Sequence, residues 1–306
     1  MERFGETDDG LRMMAKKANE KTAVVPEVRS VTATRYVTPF REGGSLPGLM
    51  EADDDGLYVV KFHGAGQGPK TLVAELIAGE IGRLLGLNVP ELVIIDLLPE
   101  LTAGEPDPEI KDLLVASIGL NLGLDFLPGA LPFDLAPRAV TDAPLDPVMA
   151  VDIVWFDALI ANVDRTTRNP NLLRWHDALW LIDHGAAIYP HHRWSDPAAQ
   201  GRRSFAAIKD HVLLPVAGSL VEADQRLAGR LTESDLWAVI GGIPDGWLVA
   251  DDLIGSADEQ RAAYLTYFRH RLEAPRPFIE EGERWRTASD VGAIDPERST
   301  RGRRRE

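Results

Sequence analysis

The sequence predicts an α+β chain in two lobes, a small β-rich one followed by a larger, mainly helical one. Three observations lead there. Up to about residue 128 the apolar runs are short, rich in β-branched residues and separated by Gly-, Pro- and Asp-rich turns, with one long helical pattern among them. A proline-rich stretch from Pro128 to Pro147 then interrupts that rhythm. Beyond it the apolar residues recur at helical spacing.

Composition limits what such a chain can do. With 306 residues, 44% apolar and 26% charged, it has the make-up of an ordinary globular protein. No apolar run reaches the length of a membrane span and the start, MERFGETDDG, has no hydrophobic signal core, so a cytoplasmic location without membrane contact is expected. The absence of cysteine removes disulfides, thiolate metal sites and cysteine nucleophiles together. A formal charge of −15 argues against broad binding to a nucleic-acid backbone. If the chain handles a phosphate ligand, it must gather positive charge locally and bring in metal.

Residues 1–28 are polar and aperiodic, and read as a disordered leader. The β-branched run Val31 to Val37 suits a strand. Gly43, Gly44, Ser45 and Gly48 form a glycine loop, followed by the turn Asp53 to Gly56 and a strand from Leu57 to Phe62. Glycines allow backbone N–H groups to approach phosphate oxygens, and a lysine on the neighbouring strand adds a point charge; an ordinary turn is the alternative. Lys61, beside Val59, Val60 and Phe62, either ends an edge strand or has a partner. The helix expected over Thr71 to Leu85 has an apolar stripe on one side and small residues on the other, so it should be covered on both. Its carboxylates, Glu75 and Glu80, are both candidates to pair with Lys61, and the helical wheel does not choose between them. Gly86 to Pro90 stops the helix, Glu91 to Leu98 reads as a strand, and the acidic, Pro- and Gly-rich stretch from Pro99 to Asp112 reads as a surface loop. Leu120 to Gly129 reads as a strand ending in a connector. The lobes are accordingly placed at 29–128 and 129–283, with a basic, disordered tail at 284–306.

In the second lobe, Val148 to Ile160 is apolar on nearly every side except at Asp152 and Asp157, as expected of a central helix. It runs into NVDRTTRNPNLLRWHDALWLIDHG, residues 162–185. Two short Leu- and Trp-rich runs flank the polar pair His176-Asp177 there, predicting a hairpin that folds Asp183 back beside Asn169. Phosphoryl transfer needs a carboxylate facing the attacking hydroxyl and oxygen ligands for Mg²⁺, roles that Asp164, Asn169 and Asp183 can fill. A side-chain turn before a strand is the plainer reading of Asp164 and Asn169. The segment His184 to Lys209 concentrates His and Arg, either as a solvated loop or as a receiver of an anionic group. Helices follow at Leu220 to Ala228, Glu233 to Ile240 and Glu259 to Leu272, with caps at Thr232 and Ser256.

The order glycine loop, strand lysine, helix glutamate, connector, helical lobe, DxxxxN and DxG resembles the protein-kinase-like fold. NVDRTTRN followed by LIDHG, together with AELIAGEIGRLLGLNVPEL, most resembles the HipA-like kinases, over about residues 31–275. The resemblance implies an ATP- and Mg²⁺-dependent phosphotransferase, with Asp164 as the catalytic carboxylate, Asn169 and Asp183 as metal ligands, Lys61 as the phosphate lysine and Glu75 as its ion-pair partner. Gly43, Gly44, Ser45 and Gly48 would lie over the nucleotide, and Ser45 would be a site of autophosphorylation. By the same analogy the acceptor is a protein Ser or Thr hydroxyl; a small-molecule kinase and a pseudokinase scaffold are the alternatives. Asn162 stands where eukaryotic protein kinases carry the histidine of HRD, His184 replaces the phenylalanine of DFG, and no APE-like element follows. Activation-loop control of the eukaryotic kind is therefore not implied. Nor is an antitoxin-like partner, because no additional N-terminal domain of the HipA toxin kind is evident.

Overall fold

The structure, a computed structural model, describes residues 27–40, 46–134, 145–249 and 254–293. Strands β1 (Arg29–Pro39), β2 (Gly48–Ala52), β3 (Leu57–Lys61), β4 (Leu92–Leu97) and β5 (Gly119–Asp125) close into a barrel in the order β1-β2-β3-β5-β4. Neighbours are antiparallel except β1 and β4, which run parallel with Val31 opposite Ile95. Lys61 pairs with Leu122 of β5, so β3 is an interior strand and the edge reading of its lysine is excluded.

The run LVIIDL of β4 is almost wholly apolar because the strand is covered on both faces. Val93, Ile95 and Leu97 enter the barrel core with Val60 and Phe62, while Leu92 and Ile94 join the larger core beneath helix α1 (Pro69–Leu85). Helix α1 is buried along most of its length. Its glycines permit close approach: a Cβ at Gly79 would come within 2.5 Å of the Leu92 side chain. Gly86 ends the helix in the left-handed conformation, φ 83°.

The stretch expected as a surface loop at 99–112 is partly helical. Asp107 accepts the N–H of Glu109, Pro108 occupies the first turn, and α2 (Pro108–Ala116) buries Ile110 and Leu114, one turn apart, in the barrel core.

In the second half, α3 (Pro147–Leu159) is the central element, with Trp155 and Phe156 fully buried. Around it lie α4 (Pro197–Gly201), α5 (Leu220–Leu227), α6 (Glu233–Gly241), α7 (Ala257–Leu272) and α8 (Pro277–Ala293). Helix α8 runs past residue 284, where the tail was expected to begin. A small sheet, β6 (Leu131–Pro132), β7 (Leu172–Trp175) and β8 (Ala178–Leu181), borders α1: Leu181 N–H donates to the Asn88 carbonyl at 2.8 Å and Asn88 Nδ2 to the Leu179 carbonyl at 3.0 Å. Among the described residues no helix is long and apolar enough to cross a membrane.

Both expected caps are present. Thr232 Oγ1 accepts the N–H of Asp235 at 3.1 Å, and the Asp235 carboxylate accepts the N–H of Thr232 at 2.9 Å. Thr232→Ala is expected to lower stability by about 1 kcal/mol, read as a shift of the urea midpoint.

Candidate active site

Lys61 leaves the end of β3 and is buried, at 7% exposure. Its ammonium donates to Glu75 Oε2 at 2.6 Å and to Asp183 Oδ1 at 2.5 Å. Glu75 is fully buried on α1, whereas Glu80 turns away and pairs with Arg83 at 2.9 Å. Burial is the largest influence on both members of the Lys61–Glu75 pair, and opposes charge on each. The neighbouring charges outweigh it, holding Glu75 well below the usual carboxylate range and raising Lys61 above its ordinary value. His184 adds Nδ1 at 3.3 Å from Glu75 Oε1 and its backbone N–H; since the carboxylate accepts, Nδ1 carries the proton.

The hairpin explains how Asp183 reaches this lysine. His176 and Asp177 both have left-handed φ, 46° and 60°, as a two-residue connection between strands requires. The resulting register sets Leu172 opposite Leu181, and Ile182 N–H donates to the Asn171 carbonyl at 3.1 Å. Asp183 itself is left-handed, φ 57°, and its half-exposed carboxylate faces Lys61. Gly185 packs on α1 so closely that a Cβ would lie 2.4 Å from Thr71 Cγ2. Gly185→Ala is therefore expected to displace α1 from the hairpin and to lower stability by roughly 1–3 kcal/mol, measured by urea unfolding.

The loop after α3 carries the second group. Asp164 Oδ2 accepts from Asn169 Nδ2 at 2.8 Å and from Asn171 Nδ2 at 3.4 Å, while Asn162 Oδ1 accepts the Asp164 N–H at 3.1 Å. Asp164 is half-buried and Asn169 exposed. Lys61, Glu75 and Asp183 thus meet directly, Asp164 and Asn169 meet directly, and the Asn171–Ile182 hydrogen bond joins the two groups. Among the described residues no three His, Asp or Glu side chains are gathered for a metal. Asn169 and Asp183 nonetheless carry hard oxygen atoms of the kind Mg²⁺ takes.

Gly48 is not in a loop. It is the first residue of β2, opposite Val60, and a Cβ there would meet the ring of Tyr36 at 2.6 Å. Gly43, Gly44 and Ser45 lie outside the described residues. The solvated-loop reading of His184 to Lys209 fails at two of its three histidines: His184 is buried against Glu75 and His191 is buried with Nδ1 3.1 Å from the Tyr264 hydroxyl, while His192 is exposed. Sequence reasoning gave no role to Asn171, Arg165 or His211; the one signal was Asp157, a carboxylate in an otherwise apolar helix.

Among solved structures the chain is similar to the Helicobacter pylori proinflammatory kinase CtkA, at 15% identity and a TM-score of 0.48 over 88% of this chain and 100% of that one. It is also similar to the Golgi casein kinase with Mn/ADP bound, at 14% identity and a TM-score of 0.41 over 90% of this chain and 78% of that one. Comparison with curated proteins gives no match. The HipA-like kinase family profile matches residues 34–272, most of the chain, and the chain accordingly belongs to the HipA-like kinase family of phosphotransferases.

Proposed function

We propose that the chain is an ATP- and Mg²⁺-dependent kinase acting on a Ser or Thr hydroxyl of a protein, with the nucleotide between a β-rich lobe and a helical lobe divided near Pro128. The observation that carries this reading is the Lys61 ammonium held between Glu75 and Asp183, with Asp164 and Asn169 on the adjoining loop. Lys61 is positioned to place its charge on the nucleotide phosphates while Glu75 keeps it from swinging away. Asn169 and Asp183 would hold Mg²⁺, which when bound neutralises phosphate charge. Asp164 orients the acceptor hydroxyl and takes up its proton.

The test is incubation with γ-labelled ATP and a cell lysate, with and without Mg²⁺, separated into protein and small-molecule fractions. Label in protein Ser or Thr is expected, and only with the metal. Label confined to small molecules would replace the acceptor class. No label in either fraction would end the enzymatic reading.

A further inference from the structure

One buried polar cluster has no part in the chemistry above. Asp157, fully buried on α3, accepts from Arg165 Nε at 2.5 Å, His211 Nε2 at 2.9 Å and Asn162 Nδ2 at 3.0 Å. The Leu213 N–H donates to His211 Nδ1 at 3.1 Å, so the imidazole proton sits on Nε2 and points at Asp157. Arg165 is itself 1% exposed. Its Nη1 reaches the carbonyl of Asn171 and, at 3.4 Å, that of Ile182.

Those two carbonyls lie on different loops. Asn171 is two residues beyond Asn169, Ile182 immediately precedes Asp183, and Arg165 immediately follows Asp164. One residue therefore follows Asp164 in the chain and, through its guanidinium, touches the backbone just beyond Asn169 and just before Asp183. A buried ion pair is weak evidence of stabilisation, since apolar side chains of similar volume often do as well. Here Nη2 is buried and finds no partner among the described residues, a cost that a purely stabilising residue does not explain. A planar fork with several fixed donors is suited to holding two loops at a set spacing, and a lysine, a single point charge, is not.

We infer that Arg165, anchored by Asp157, is a positioning residue that fixes the distance between the Asp164–Asn169 loop and Asp183. The contact extends backward too: Val212 N–H donates to the Arg165 carbonyl at 3.1 Å and His211 bridges Thr166, so the 206–216 segment braces the loop from behind. The inference rests on the roles given to Asp164, Asn169 and Asp183 under the proposed function, but its test does not depend on turnover.

Full-length wild type, Arg165→Lys and Asp157→Asn are compared by amide hydrogen exchange over residues 162–171 and 180–187, by thermal melting, and by the Mg²⁺ dependence of phosphoryl transfer. In both variants exchange is expected to rise in the two loops together, with a cooperative melt retained. The Mg²⁺ concentration for half-maximal transfer should rise roughly 10- to 100-fold, the usual scale for residues that orient ligands from behind. Folded variants with wild-type exchange in either loop would overturn the inference. So would failure of both variants to fold, because the cluster would then be holding the fold and not the spacing. If wild type itself transfers no phosphate, the kinase reading falls and the exchange data alone decide the role of Arg165.

Discussion

An Asp164→Ala variant is expected to lose roughly three orders of magnitude in phosphoryl transfer while remaining folded and binding ATP as tightly as wild type, the scale of losing a positioned general base. The side chain has little else to do. It is half-buried, and its visible partners are the amides of Asn169 and Asn171 on its own loop, one of which is already exposed. Removing it leaves no buried charge uncompensated, so the loss should fall on kcat and not on the melting temperature. Nucleotide affinity by calorimetry and transfer to the labelled protein fraction separate the two. Transfer that survives the substitution unchanged would remove Asp164 from the mechanism.

Lys61→Met tests the opposite balance, a large effect on stability. The substitution strands Glu75, fully buried, with only His184 left to pair with it among the described residues. Breaking such a pair from one side costs roughly 3–5 kcal/mol, whereas replacing both members with apolar side chains is often close to neutral. Lys61→Met with Glu75→Leu should therefore recover most of the stability lost by Lys61→Met, without recovering activity. Dependence on pH follows from the directions of the shifts. Glu75 lies below its ordinary value of 4.5, so its contribution is complete above that pH and is lost as the solution becomes more acidic. Lys61 lies above its ordinary value of 10.5, so its contribution is complete below that pH and is lost on going more alkaline. The difference in urea midpoint between wild type and Lys61→Met should be full between those limits and shrink in acid. An undiminished difference at low pH would show that Glu75 is not the partner that matters.

Much of this is legible in the sequence. The α1 pattern announced a helix covered on both sides, and His176-Asp177 between two apolar runs announced the hairpin, since both signals are local. Helix α2 was hidden because its surroundings are rich in Pro and Gly and only Ile110 and Leu114 mark its buried face. Helix α8 was hidden by its charges and by Gly282, a poor helix residue that is explained only by packing: a Cβ there would lie 2.4 Å from Leu220. The Asp157 cluster joins residues 54 apart in sequence, and no periodicity reports such a contact. What could be read was the need for it, since a carboxylate in an apolar helix must find donors.

Barrel closure also constrains how a protein acceptor, the one proposed above, could be held. An extended peptide binds most simply by adding itself to an exposed strand, and among the described residues the sheets leave little such edge beyond the second half of β1, which pairs with β2 but runs past its match with β4. The parallel β1–β4 pairing seals the barrel, Asn88 occupies the outer side of β8, and Pro132 interrupts the donor row of the two-residue β6. On the proposed reading of a protein acceptor, selection would then rest chiefly on side chains around the loop mouth, and sequence preference would be written in charge and shape more than in main-chain pairing.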